Sequence, residues 1–155
     1  MIRLLALGAV LASPLHAQTL PVFNGEWQGE GTLILGTEPE QRFQCRLRFT
    51  PLDAQGAAAR SQFVGRCATA QASQSVNYTL IEAPDGSLRA EARGPLDGDL
   101  PASLQGETAS GALSLRGDED ARMVLQPEGA ALRFTLEGHD SRGPARGTAL
   151  LQRRQ

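Results

Sequence analysis

Apolar and polar residues alternate most regularly in residues 42–69, RFQCRLRFTPLDAQGAAARSQFVGRCAT. Every second residue from position 43 to position 49 is apolar, and the positions between them carry glutamine and arginine. This period of two is typical of a half-buried β-strand. A turn centred on Gly56 would place Cys45 opposite Cys67, within bridging distance for antiparallel strands. The pattern therefore predicts a hairpin closed by a Cys45–Cys67 disulfide.

The same alternation continues on both sides of this hairpin. The stretch GEWQGEGTLILG predicts a strand paired with the first arm, with Trp27 opposite Phe49. The stretch QSVNYTLIEA predicts a strand paired with the second arm, with Tyr78 opposite Gly65, which would leave room for the ring. A Pro-Asp-Gly turn then leads to SLRAEAR, a fifth strand. These five strands share one apolar face.

The second half of the chain predicts further hairpins, one turning near Ala109 and one turning at residues 127–129. The last apolar stretch, RGTALLQRR, would return to pair with the first strand. No segment has a sustained helical period, so helix is expected for a turn or two only. We expect an all-β protein, an antiparallel up-and-down meander of about 8–10 strands that closes into a small barrel, with a β-sandwich as the alternative.

The N-terminus, MIRLLALGAVLASPLHA, has the features of a secretory signal peptide: one arginine, a short apolar run and a small residue before the expected cleavage after Ala17. The expected organisation is a signal peptide at 1–17, a lead segment at 18–24 and a single β-barrel domain at 25–155. An even pair of cysteines in an exported chain indicates a structural disulfide. We expect a periplasmic or secreted protein.

Charge and composition exclude several function classes. The formal net charge is −2, which gives no general attraction to nucleic acid. No stretch after the N-terminus is apolar enough to enter a membrane. We expect a monomer that binds a small apolar or amphipathic ligand, with inhibition of a secreted protease through the N-terminal segment as the alternative.

The chain offers no set of residues for catalysis or metal binding. His139 is the one histidine left after removal of the N-terminal segment, and we expect it in a loop. Its neighbours Asp140 and Ser141 cannot complete a catalytic triad, because three consecutive residues cannot line up in one. The acidic run at 117–120 is expected to be a solvated turn, with a calcium site as the alternative. We therefore expect no enzyme, no metal site and no cofactor.

A cluster of arginines on the polar face of the hairpin is a candidate anion or partner site. Arg46 would face Arg66, with Arg48 diagonal to both, and like charges across strands are unfavourable. The alternative is that Glu30, expected opposite Arg46, and Asn77 on the other flank balance the cluster.

The apolar face of the meander is a candidate ligand-binding interior. Small residues on the outer strands could instead mean a narrow, filled barrel. The candidate ligand-facing residues are Trp27, Phe43, Leu47, Phe49, Phe63, Tyr78 and Leu80.

The motif GEWQGEG, with Gly25, Trp27, Gly29 and Gly31, resembles the start of calycin barrels. Lipocalins in that group open with GxW, and the resemblance implies that Trp27 closes one end of the barrel. The longer GxWxGxG is similar to the opening of nitrobindin-like haem barrels, which use a histidine late in the chain, where this sequence has His139.

Two further resemblances concern the partner and the compartment. Periplasmic inhibitors of secreted metalloproteases are similar in the order of Gly25, Trp27, Cys45 and Cys67, and they insert a free N-terminal segment into the protease. In this chain residues 18–23 would have that role. From Gly25 to the final LQRR, the chain is also similar to short exported proteins of alphaproteobacteria, which implies a compartment and a fold but no reaction.

Overall fold

The computed structural model describes residues 17–98, 100–118 and 120–155. The predicted signal peptide, apart from Ala17, lies outside the described residues, as does Glu119 of the acidic run. One helix and ten strands are present: α1 (Leu20–Phe23), β1 (Gly25–Leu35), β2 (Gln41–Gln55), β3 (Ala58–Ala68), β4 (Ser73–Glu82), β5 (Ser87–Ala92), β6 (Ser103–Ala109), β7 (Ala112–Arg116), β8 (Arg122–Glu128), β9 (Ala131–Asp140) and β10 (Gly143–Arg153).

The ten strands form a closed antiparallel barrel in which each strand pairs with its neighbours in the chain. The last strand, β10, pairs with β1 and completes the circle. This arrangement confirms the predicted all-β meander and its closure. A closed barrel leaves no strand with unpaired backbone groups along its edge.

The central hairpin of β2 and β3 has the predicted register. Cys45 lies opposite Cys67 and the two form a disulfide, with their Cα atoms 4.1 Å apart. Gly56 lies in the turn with a φ of +61°, a backbone conformation that favours glycine. The two cysteines therefore mark the register correctly.

The predicted register between β1 and β2 is wrong by two residues. Trp27 lies opposite Leu47 instead of Phe49, and Glu30 lies opposite Gln44 instead of Arg46. The connecting turn begins at Leu35, whose carbonyl oxygen accepts from the Glu38 amide at 3.0 Å, so its centre lies earlier than expected. A shift of two leaves every side chain on its predicted face.

The register between β3 and β4 differs from the prediction in the same way. Tyr78 lies opposite Phe63, and Gly65 lies opposite Val76. The Thr69 amide donates to the Ala72 carbonyl oxygen at 2.8 Å, which makes a tight turn one residue earlier than expected. A Cβ atom on Gly65 would lie 2.9 Å from the Val76 side chain and 3.0 Å from that of Leu47, so this glycine makes room for them and not for the tyrosine.

Gly29 and Gly31 allow β1 and β10 to come close together. A Cβ atom on Gly29 would overlap the Leu150 carbonyl oxygen, and one on Gly31 would overlap that of Thr148. The space is needed by the backbone of the neighbouring strand, where the barrel closes.

The barrel has two ends of different construction. The capped end carries α1, the turns β2–β3, β4–β5, β6–β7 and β8–β9, and the C-terminus of β10. The loop end carries the turns β1–β2, β3–β4, β7–β8 and β9–β10 and the longer β5–β6 connection at 93–102. Between them lies one core of inward-facing apolar side chains. In the described part of the chain, no helix is long and apolar enough to cross a bilayer.

The two remaining local predictions are corrected at the turns. His139 lies in β9 opposite Pro144 and is exposed, not in a loop, because the strand pairing continues to Asp140. The β8–β9 turn lies at Gly129 and Ala130, just beyond the expected position, because β8 continues through Pro127 to Glu128.

Candidate functional site at the capped end of the barrel

Helix α1 closes the capped end with two side chains that enter the barrel. Leu20 and Phe23 are three residues apart, which places them on one face of the helix, and they are 1% and 0% exposed. The Phe23 ring lies 5.7 Å from that of Phe49. Pro21 fits the first helical turn, where an amide hydrogen is not needed. The lead segment is thus part of the core.

The carboxylate of Glu82 anchors the beginning of this helix. Its oxygens accept from the Thr19 amide at 2.8 and 2.9 Å, from the Leu20 amide at 2.8 Å and from the Thr108 hydroxyl at 2.6 Å. Glu82 is 1% exposed, and these bonds offset the cost of burying its carboxylate. The Thr19 side chain makes no cap of its own, so Glu82 supplies the acceptor for the free amides of the first turn.

The end of α1 is held by Trp27 and Arg153. The Trp27 indole donates to the Phe23 carbonyl oxygen at 2.7 Å. The Arg153 guanidinium carbon lies 4.3 Å from the centroid of the Trp27 ring. The same guanidinium donates to the carbonyl oxygens of Asn24 and, at 3.2 Å, of Val22. Trp27 is buried at the capped end.

Two surface clefts flank α1. The first, which we call the Trp27 cleft, has a volume of about 350 Å³. It is lined by Val22, Phe23, Trp27, Pro127, Gly129, Ala130, Ala131, Leu132, Gln152, Arg153 and Gln155. The second, about 420 Å³, lies beside the start of α1 between the β4–β5 and β6–β7 turns. Both clefts lie at the rim of the barrel.

The Trp27 cleft combines an apolar wall with a positive charge. Val22 projects from α1 and is 52% exposed, which is unusual for a valine next to the core. No ion pair among the described residues involves Arg153. The nearby Glu128 is bound by Arg133 at 2.5 and 2.8 Å, and this hydrogen bond lowers the pKa of Glu128. Arg153 therefore lines the cleft without a carboxylate partner.

The predicted ligand-facing residues all point into the barrel and pack as its core. Phe49 and Phe63 stack with ring centroids 4.8 Å apart, and Phe43 meets Phe134 at 6.2 Å. All seven are at most 5% exposed: Trp27, Phe43, Leu47, Phe49, Phe63, Tyr78 and Leu80. A role for them in binding stays a prediction.

Tyr78 connects the core to the loop end. Its hydroxyl donates to the Pro101 carbonyl oxygen at 2.7 Å, and burial raises the pKa of Tyr78. Pro101 belongs to the β5–β6 connection, so this bond holds the connection against the barrel.

The predicted arginine cluster is present, but its expected partners are engaged elsewhere. Arg46 lies directly opposite Arg66. Glu30 accepts from Arg42 and Gln44, both at 3.0 Å. The amide oxygen of Asn77 accepts from Gln62 at 3.3 Å. Arg48 forms a loose ion pair with Glu26 at 3.9 Å.

The N-terminal segment does not protrude as the inhibitor resemblance implied. Residues 18–23 were expected to be free to enter a protease cleft. Leu20 and Phe23 are instead buried because they fill the end of the barrel, where burial of large apolar side chains is favourable.

Glu82, Thr108 and Arg153 were missed by the sequence analysis, although the alternation contains a signal for Glu82 and for Arg153. Glu82 follows Tyr78 and Leu80 at the next inward position of β4. Arg153 follows Ala149 and Leu151 in the same way on β10. A charged residue that continues an inward-facing series needs polar partners, inside the fold for Glu82 and at the exposed rim for Arg153, which marks it as a candidate for a specific contact.

No protein-family model matches the sequence, and a comparison with curated proteins finds no significant match.

Proposed function

We propose that this protein is an exported binding module, and that its ligand is a small amphipathic molecule with an anionic head group. The ligand would bind in the Trp27 cleft, with its apolar part against Val22 and its head group near Arg153. The observation that carries this proposal is the pairing of an exposed valine with an unbalanced guanidinium across one cleft.

Packing inside the barrel favours the cleft over the interior as the ligand site. The inward-facing aromatic rings contact one another, and a side chain added at Gly65 would meet its neighbours. An interior in which side chains contact one another in this way leaves little free volume for a ligand. The Trp27 cleft already offers about 350 Å³ of space, comparable to small-molecule sites.

We also propose a compartment and an oligomeric state for the protein. The disulfide is compatible with an oxidising compartment, so we place the mature chain in the periplasm or outside the cell after cleavage near Ala17. All ten strands are paired, which supports a monomer. We propose binding without catalysis, and we do not extend the proposal to protease inhibition, because α1 is docked.

Trp27 is the one tryptophan of the chain and lies in the cleft, so its fluorescence reports on binding directly. We would titrate the mature protein with decanoate and, separately, with decyltrimethylammonium, which has a similar tail and the opposite charge. We expect a saturable change with decanoate and at least about tenfold weaker binding of the cation, the factor that corresponds to about 1.4 kcal/mol.

Variants of the cleft make the test specific. Val22→Ser removes the exposed apolar contact without touching the core, and Arg153→Gln removes the charge; both should weaken decanoate binding. Arg146→Gln, an exposed arginine of the same strand away from the cleft, is the matched control and should bind as the parent does. Equal binding by all three variants, or no preference for the anionic head group, would contradict the proposal.

A further inference from the structure

A row of four polar side chains crosses the outer wall of the barrel from β1 to β4. Gln28 of β1 lies opposite Arg46 of β2, Arg46 opposite Arg66 of β3, and Arg66 opposite Ser75 of β4. Directly opposite residues point to the same face of a sheet, with Cβ atoms about 4.5–5.5 Å apart. We call these four residues the arginine row. Each side chain in it can donate a hydrogen bond.

The two guanidinium groups of the row lack a balancing carboxylate. No ion pair among the described residues involves Arg46 or Arg66. Arg66 contacts the Ser73 hydroxyl oxygen at 3.3 Å, which is a neutral partner. Asp97 accepts from the backbone amide of Ser75 at 3.2 Å, at the end of the row beyond Arg66. Two like charges thus face each other on an exposed surface.

From this arrangement we infer that the arginine row is a binding site for a single phosphate group, either free or as a monoester. A carboxylate carries one negative charge and is matched by one arginine. A phosphate dianion carries two and has three or more acceptor oxygens, enough for both guanidinium groups and for the neutral donors beside them. Binding would remove the repulsion between Arg46 and Arg66.

The charges around the row favour a small anion over an anionic membrane surface. Glu26 and Glu30 lie on β1 on either side of Gln28, and both carboxylates point to the same outer face. A plane of anionic lipid head groups would meet these carboxylates as well as the arginines, whereas one phosphate group contacts the row alone. This inference does not depend on the proposed ligand of the Trp27 cleft.

The test is a titration of the isotope-labelled mature protein with inorganic phosphate and with sulfate at low ionic strength, followed by NMR. We expect saturable shifts confined to β2, β3 and their neighbours. Arg46→Gln and Arg66→Gln should each weaken binding at least about tenfold, since each removes charge-assisted hydrogen bonds. Arg146→Gln is the control for a general loss of charge and should leave the affinity within about twofold.

Lowering the pH sharpens the test. Inorganic phosphate is mostly a dianion at about pH 8 and mostly a monoanion at about pH 6, so it should bind more weakly at the lower pH, whereas sulfate remains a dianion and should not change. Absence of saturable shifts would overturn the inference, as would an equal effect of Arg146→Gln. Binding to phosphatidylglycerol vesicles without binding to either free anion would also overturn it, in favour of a membrane surface.

Discussion

The two ends of this barrel are closed in different ways, although they share the same strands. The capped end is closed by a separate helix whose side chains, Leu20 and Phe23, complete the core. The loop end is covered only in part, and Leu136, which faces inward there, remains 36% exposed. Leu132, four residues earlier on the same face of β9, is 0% exposed at the capped end.

The two ends also differ in the polar side chains that hold the segment covering each end. At the capped end, Glu82, Trp27 and Arg153 each bind backbone groups of α1 or of its flanking residues. At the loop end, the Tyr78 hydroxyl makes a part-buried bond to Pro101, whereas the contacts of Asp97 with the Ser75 amide and of Arg142 with Asp140 are exposed. We therefore expect substitutions at the capped end to cost more stability than equivalent substitutions at the loop end.

The largest effect should come from Trp27→Ala, which removes a buried ring, its hydrogen bond to Phe23 and the surface on which Arg153 lies. We expect the free energy of unfolding to fall by about 3–5 kcal/mol. Urea denaturation followed by circular dichroism measures this change. Trp27→Phe, which retains an aromatic ring, should lose clearly less. A loss below about 1 kcal/mol for the alanine variant would mean that the cap contributes little.

Leu132→Ala and Leu136→Ala compare the two ends with the same substitution on the same face of one strand. We expect about 2–5 kcal/mol of lost stability at position 132, because a fully buried leucine leaves a cavity. At position 136 the loss should be below about 1 kcal/mol, since the side chain is already partly in water. Equal losses, measured by the same denaturation, would show that the ends are equally packed in solution.

Glu82→Ala tests the anchor of α1 more directly. It leaves two amide hydrogens without their acceptor and removes the shorter of the two contacts of the Thr108 hydroxyl, and we expect a loss of about 1.5–3 kcal/mol. The Trp27 fluorescence spectrum should shift, because the helix over the indole loosens. Glu40→Ala, an exposed glutamate at the loop end, should change neither quantity. An unchanged spectrum in the Glu82 variant would argue against the anchor.

The alternation of the sequence predicts faces well and exact partners less well. It places Trp27 and Tyr78 on the correct face, but both are two positions away from the predicted partner, because a shift of two preserves the face. The disulfide removes this ambiguity for the central hairpin, where Cys45 and Cys67 allow one register. Elsewhere the register follows from the geometry of the turns, such as the tight turn before Ala72. The alternation of apolar and polar residues does not predict this geometry.

Helix α1 and its anchors could not be predicted from local patterns. Four residues are too few for a helical period, and α1 forms because Leu20 and Phe23 find a cavity at the end of a closed barrel. The partners of Glu82 lie more than sixty positions earlier in the chain and twenty-six later. Contacts of this separation follow from the complete fold.

The Tyr78 hydrogen bond at the loop end should contribute less stability than the anchor at Glu82. Tyr78→Phe removes the hydrogen bond to Pro101 and should cost about 1 kcal/mol near pH 8. Burial raises the pKa of Tyr78, so the folded protein keeps the phenol proton at pH values where the unfolded chain has lost it. The contribution of the protonated Tyr78 phenol to the free energy of unfolding should therefore be fully present below about pH 10 and fall as the pH rises beyond it. The phenylalanine variant should lack this pH dependence.

The alkaline titration of Tyr78 can be followed by phenolate absorbance, since the chain has one tyrosine. The same absorbance in the Glu82→Ala variant shows whether the two ends are independent. If loosening α1 leaves the titration of Tyr78 unchanged, the cap and the loop end respond separately. If the pKa of Tyr78 instead moves towards that of the unfolded chain, loosening of α1 also loosens the core around Tyr78. The two ends then differ only in degree.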